Sequence, residues 1–232
     1  MRTCAFVFAH NESHFLPLWL RYYVPQVDHV VIVDHGTTDG SIPAGFEVIE
    51  LDADKAFRYD YTNTQLRRIQ RELLERFDVV VYSDCDEYIV PDPFRWDGLR
   101  EYIDLMETEY VSCNGHDVIQ VDGETPLDLS APVLAQRSMM VHDTLYDKPL
   151  ISSVPLIWVT GTHYASHFDG NRLPALRDDG LMLFHLKRAD WDLYRERQLM
   201  RFPAKPDGQL RWEFEKFADS AMPIPMQFVG VL

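Results

Sequence analysis

The sequence predicts an α/β domain built on a mostly parallel sheet flanked by helices, and three observations carry that prediction. Short apolar, largely β-branched runs, TCAFVFA at residues 3–9, HVVIV at 29–33 and VVVY at 79–82, have the length and composition of buried strands. Stretches of helical periodicity separate them, an alternation that argues for helix-covered parallel strands with right-handed crossovers. Several of these strands end abruptly in polar or acidic residues, and strand carboxyl ends are where ligands bind in open α/β sheets.

The elements follow in order. The first strand, Thr3–Ala9, is broken by His10-Asn11-Glu12-Ser13, where Asn11 or Ser13 suits a helix cap. In the helix that follows, Phe15, Leu16, Trp19, Leu20 and Tyr23 share one face, with Pro17 near the first turn. Residues 29–33 form a second strand, which runs into the turn-rich loop DHGTTDGS at 34–41. Residues 46–51 give a third strand, and the segment up to Asp60 is irregular. Over residues 62–77, Leu66, Ile69, Leu73, Leu74 and Phe77 line one helical face ahead of the fourth strand. Beyond Pro91 the pattern loosens. A helix is expected over 96–106 and a strand over 110–121, interrupted at Asn114-Gly115-His116-Asp117. A proline-bearing loop should occupy 122–136. Strands are expected over 150–160 and 181–186, a helix over 190–200, and an extended tail around a short helix at 213–218.

At 232 residues the chain suits one domain of generous size. With 22 Lys and Arg against 37 Asp and Glu, its formal net charge of −15 disfavours nucleic acid as a partner, which requires a basic face. A phosphate-bearing ligand would need a cation or a focused basic patch. Cys4, Cys85 and Cys113 are odd in number and widely spaced, a reduced intracellular pattern with neither a disulfide framework nor a cysteine zinc site. No apolar run approaches the ~20 residues of a transmembrane segment, and no signal-peptide core is evident. A cytoplasmic location is therefore expected, with peripheral attachment at the inner membrane face left open.

The stretch DVVVYSDCDEYIV at residues 78–90 organises the chain. Three acids, Asp84, Asp86 and Glu87, crowd the end of a buried strand. Two carboxylates about 4 Å apart repel by roughly 4 kcal/mol at an effective dielectric near 20. A shared proton, a basic partner or a cation must offset that cost. Asp84 and Asp86 read either as a divalent-metal site or as turn and cap acids.

Taken in order, Asn11-Glu12 after the first strand, the loop 34–41 after the second and Asp84-Cys85-Asp86-Glu87 after the fourth form an ordered trio. With Tyr88 and Ile89 completing the acidic motif, this trio resembles family 2 glycosyltransferases of the Rossmann-like glycosyltransferase A fold, in the bacterial branch marked by Asp-x-Asp-Glu. The resemblance covers about residues 3–92 and is loose beyond. It implies a single domain in which 1–92 bind the nucleotide sugar, 93–202 complete the metal and acceptor sites, and 203–232 form an extension. The implied activity is metal-dependent transfer of a hexose-like sugar in bacterial glycan synthesis. The donor would be of UDP or GDP type and the acceptor a hydroxyl of a glycan or small molecule.

By the same resemblance, Asn11, Glu12 and Asp34 match the positions that hold the donor base and ribose. Asp39 belongs to the turn that closes the pocket, or is a helix cap. Asp84 and Asp86 would hold Mg²⁺ or Mn²⁺, and Glu87 would position the loop. His185, ending a late strand, matches the histidine that completes the metal shell, with His163 as the alternative and a core histidine as the plain reading. His163 and His167 have a zinc-like spacing, discounted because Gly161 and aromatic neighbours suggest a loop. Lys148, Lys187 and Arg188 suit phosphate neutralisation or an ordinary surface. For the catalytic base Asp117 stands first, followed by His116 and Glu124. The paired acids of better-known members are missing there, which puts the base and an inverting outcome in question. Two other readings compete. One is a non-catalytic nucleotide- or sugar-binding protein. The other is a metal-dependent phosphohydrolase, whose Asp-x-Asp should follow the first strand rather than the fourth.

Overall fold

A computed structural model describes residues 1–56, 58–166, 173–174 and 176–232; His167 lies outside the described residues. The strands are β1 (Thr3–Ala9), β2 (His29–Asp34), β3 (Glu47–Glu50), β4 (Val79–Tyr82), β5 (Glu87–Pro91), β6 (Tyr110–Ile119), β7 (Met139–His142), β8 (Pro149–Ser152), β9 (Ile157–Trp158), β10 (Ala165–Ser166), β11 (Arg177–Arg188) and β12 (Met222–Pro223). The helices are α1 (Phe15–Tyr23), α2 (Tyr59–Leu74), α3 (Leu99–Leu105), α4 (Trp191–Arg201) and α5 (Asp207–Glu215).

Ten of these strands form one sheet, and β9 and β10 pair separately. The order β3-β2-β1-β4 is parallel throughout. From β4 the sheet turns mixed. Strand β8 runs antiparallel to β4 and to the start of β6, and β7 pairs antiparallel with the end of β6. On the other edge of β6, β11 lies parallel, and β5 lies antiparallel beyond it. The expected α/β architecture therefore stands, with the parallel character concentrated in the first ninety residues.

Burial explains the first half. Strand β1 is buried along almost its whole length, so that no position alternates with solvent. Helix α1 buries Phe15, Leu16, Trp19 and Tyr23, and α2 buries Leu66, Ile69 and Leu73. Neither Asn11 nor Ser13 caps α1; His14 occupies that position and makes no side-chain cap. Asn11 instead takes a left-handed conformation at φ 55°, one of the few that asparagine tolerates.

The chain from β5 onward departs from expectation in four places. Residues 114–117 do not interrupt β6, which runs unbroken through them. Gly115 permits this: a Cβ there would lie 2.4 Å from the Tyr146 carbonyl oxygen. The segment 150–160 is not one strand but two, β8 and β9, which enter different sheets on either side of Pro155. Strands β5 and β7 were not anticipated, because each is short and gains its hydrogen bonds from a distant partner. The helix in the tail falls at Asp207–Glu215 rather than at 213–218.

Candidate active site

The carboxyl ends of β1 and β4, the start of β8 and the end of β11 surround a cleft of about 340 Å³, with α4 forming one wall. That volume lies at the lower end for a small-molecule pocket. Of the residues singled out from sequence, Glu12, Asp84, Asp86, Glu87, Lys148, His163, His185 and Lys187 all line it. They come from five separate segments of the chain.

Asp84, Cys85 and Asp86 lie in the turn between β4 and β5 and face different ways. Cys85 points inward, with its Sγ against the Phe8 carbonyl, and burial raises its thiol well above the ordinary range. Asp84 and Asp86 face the cleft. Asp84 accepts from the Tyr82 hydroxyl at 2.5 Å and lies 3.4 Å from the Lys148 ammonium. Its side chain is 44% exposed, the most open of the three acids. Asp86 is buried, and it is bound by Arg197 and by His185 Nε2, the latter at 3.4 Å. Burial alone would raise its carboxyl; Arg197 and then His185 outweigh that and hold it well below the usual range. Arg197 also reaches Glu12 at 2.8 Å and lies over the Phe15 ring. Glu12 itself is pushed up, chiefly by burial.

Glu87 is sealed beneath the motif at 1% exposure and is bound to Lys148, which is 3% exposed. Burial works against the charged ammonium, but Glu87 and then Asp84 overcome it and hold Lys148 above its ordinary value. The repulsion expected at the strand end is thus met by two basic side chains, Lys148 and Arg197.

Strand register builds the other side of the site. His185 stands directly between Glu87 of β5 and Asp117 of β6. Its Nδ1 lies 2.8 Å from Asp117 Oδ1. A carboxylate can only accept, so this bond places a proton on Nδ1 and leaves Nε2 facing Asp86. The register of β11 shifts between His185 and Arg188, and this irregularity brings Arg188 onto the same Asp117. The Tyr146 ring packs 4.2 Å from that of His185, an approach that Gly115 makes possible.

The three residues read as possible bases occupy other places. Asp117 is 1% exposed, is engaged by His185 and Arg188, and does not line the cleft. It orients the imidazole rather than facing an acceptor. His116 is buried, with Nδ1 3.0 Å from the Asn114 carbonyl, and burial lowers its pKa. Glu124 accepts from Ser138 and Val121 and borders a different cavity. Three expected donor-binding residues organise the neighbouring loop instead of lining the cleft. Asn11 Oδ1 accepts from the Thr38 and Asp39 amides at 2.7 and 3.2 Å, Asp34 from the Thr37 amide, and Asp39 from the Ser13 and Ser41 amides.

His163 does line the cleft, and its Nδ1 meets the Leu145 carbonyl. Its pKa is lowered, first by burial and then by Lys148. Arg197 escaped the sequence reading. Its helix was expected, but the only local sign was a pair of arginines, 197 and 201, one turn apart on the face of α4 that lines the cleft.

Among the described residues no three His, Cys, Asp or Glu side chains gather closely enough to enclose a metal. The donor set reduces to Asp86 and His185, two residues on one cleft wall. Among the described residues no helix is long and apolar enough to cross a membrane.

No protein-family model matches the chain, and comparison with curated proteins gave no match. Among solved structures, a CMP:2-keto-3-deoxy-manno-octonic acid synthetase complexed with CTP aligns with 96% of this chain and 88% of its own, at 12% identity and a TM-score of 0.33. A superposition that loose aligns layers rather than side chains, and no residue role follows from it.

Proposed function

We propose that the chain is a metal-assisted glycosyltransferase that draws its sugar from a nucleotide-sugar donor. One observation carries the reading. Asp117, His185 and Asp86 form a continuous chain into the cleft, and it sets an imidazole nitrogen 3.4 Å from the Asp86 carboxylate oxygen that Arg197 also holds. A metal-binding histidine commonly donates its second nitrogen to a carboxylate in this way. Mg²⁺ takes one or two protein ligands and fills its remaining positions with phosphate oxygens and water, so a two-residue site is sufficient. Mn²⁺ accepts the imidazole more readily. When bound, such an ion would neutralise charge on a leaving diphosphate.

The residues of the chain supply the rest. Glu12 sits at the mouth of β1 beside the cleft, where a ribose or base can meet it. Lys148 fixes Glu87 and steadies Asp84, whose exposed carboxylate is free to turn to a ribose hydroxyl or to the ion. His163 replaces Asp117 as the general base. Its Nδ1 is committed to a carbonyl, its Nε2 carries a lone pair, and its lowered pKa keeps the ring neutral near pH 7. Gly161 leaves that nitrogen uncovered, because a Cβ would lie 2.5 Å from it.

Calorimetry with nucleoside diphosphates, with and without Mn²⁺, tests the reading. Binding should tighten with metal, and Asp86→Asn should abolish the tightening while the protein stays folded. A nucleotide sugar should be hydrolysed slowly, and His163→Gln should suppress that hydrolysis without weakening donor binding. Turnover of simple phosphate esters without a nucleotide would sink the proposal in favour of a phosphohydrolase. Tight donor binding with no sugar release, for any acceptor or for water, would leave a binding protein.

A further inference from the structure

Lys187 is a basic group of the cleft that the proposed mechanism leaves idle. It lies at the end of β11, half-buried, and lines the same cleft as His185. No hydrogen bond or ion pair engages its ammonium among the described residues. Its electrostatic surroundings include two acids, Asp86 and Glu213, and two arginines, Arg197 and Arg201. Both acids are already committed. Asp86 is held by Arg197 and His185. Glu213 takes Lys205 at 2.6 Å, the Tyr194 hydroxyl at 3.1 Å and Gln209 at 3.1 Å. Arg188, its neighbour in sequence, is bound to Asp117.

A half-buried ammonium with no hydrogen bond or ion pair among the described residues, in a cleft that Arg197 and Arg201 also line, is stabilised by an anion arriving from outside. The setting makes this notable. The chain as a whole has 37 acids to 22 bases, whereas the wall of the cleft formed by α4 and the end of β11 presents Lys187, Arg197 and Arg201 together. Acidic surroundings steer anions away, so a local basic wall has value only for a ligand that enters the cleft.

We propose that Lys187 is the seat of an oxyanion subsite on the α4 wall of the cleft, built to take a phosphate group of a substrate without the aid of metal. It deepens the function proposed above and rests on the same cleft, but not on the Asp86–His185 pair. The phosphate can come from the donor diphosphate or from a phosphorylated acceptor.

Inorganic pyrophosphate titrated calorimetrically in EDTA is the direct probe. Wild type should bind it, and Lys187→Gln should weaken binding about 10- to 100-fold, the range of a charge-assisted hydrogen bond. Lys187→Arg should retain most of it. Because Lys187 has no hydrogen-bond or ion-pair partner among the described residues, Lys187→Gln should leave the Tm unchanged or raise it; a clear fall would mark a structural lysine and overturn the proposal. Equal pyrophosphate binding by wild type and variant, or none by wild type, would overturn it as well. The source follows from a second arm. If a nucleoside diphosphate in EDTA loses the same factor in Lys187→Gln, the donor fills the subsite; if only pyrophosphate and inorganic phosphate lose affinity, the acceptor does. The Asp86→Asn titration is read separately, so its failure would remove the metal reading and leave the subsite in place.

Discussion

In the parallel half of the sheet, β1, β2 and β4 are apolar along their lengths and polar groups wait until the strands end. In the mixed half, β6 and β11 carry His116, Asp117, His185 and Arg188 inside the strands, all buried. The first half satisfies its loop acids locally, as when Asp34 accepts from Thr37 and Asp39 from Ser41. The second half satisfies its charges by partners far along the chain: Asp117 with His185, Glu87 with Lys148, Asp86 with Arg197. The parallel half therefore behaves as a scaffold held by burial, and the mixed half as a matched set of charges closed over the scaffold's acidic edge.

The largest effect should come from unmatching that set. Lys148→Met leaves Glu87 buried at 1% exposure without its cation. Breaking a buried pair by removing one partner costs about 3–5 kcal/mol, measurable as a lower urea midpoint. The double variant Lys148→Met, Glu87→Leu should recover most of the loss. A loss below about 1 kcal/mol would show that the mixed half, too, is held by burial alone.

Next is Asp117→Asn, which keeps the shape but weakens the hold on His185. Removal of such an orienting partner typically costs 10- to 100-fold in metal affinity. Metal-dependent tightening of nucleoside diphosphate binding should fall by that factor, while binding in EDTA stays near the wild-type value. Equal losses with and without metal would instead make Asp117 a general support of the cleft.

Much of the scaffold was legible in the sequence because its rules are local. The runs at 3–9, 29–34 and 79–82 and the apolar face of α2 need only period and composition. The acidic motif was legible as a problem, since crowded acids demand a counter-charge. Its solution was not, because nothing in the motif announces Lys148, 64 positions from Asp84, or Arg197, 111 positions from Asp86. The same distance misled the reading of residues 114–117. A polar Asn-Gly-His-Asp run looks like a break until β11 brings His185 and Arg188 alongside and makes a buried aspartate tolerable. Asp117 was read first as a possible base, yet a buried charge at a strand interior serves equally well to orient a neighbour.

A moderate effect is expected where the two halves are stitched together. Gln70 of α2 is fully buried; its amide donates to the Ser152 hydroxyl at 2.7 Å and accepts from the Leu156 amide at 2.8 Å. Gln70→Leu strands that amide and costs about 1–3 kcal/mol. Hydrogen exchange at Leu156 should rise before exchange in β1. Uniform acceleration across both halves would mean that they open as one unit and would blunt the distinction between them.

The smallest effect belongs to the outer edge of the scaffold, where charge is matched at the surface. Glu47 of β3 takes Arg76 at 2.7 and 2.8 Å and His29 at 2.7 Å, with a third of its side chain exposed. Hydrogen bonding from Arg76, with His29 behind it, outweighs desolvation and lowers its pKa from 4.5 to about 2. A carboxylate lowered in the folded state binds fewer protons there than in the unfolded chain. Its contribution is complete above the unfolded value of 4.5 and is lost as the pH falls towards about 2. Exposure limits that contribution to about 1 kcal/mol at most. Glu47→Gln should thus lower stability slightly at pH 7, converge with wild type in acid, and lose part of its effect in 1 M salt. A difference that persists unchanged at low pH would mean that the geometry of these hydrogen bonds, rather than the charge, holds the edge, and the scaffold would then owe nothing to electrostatics even where its charges are paired.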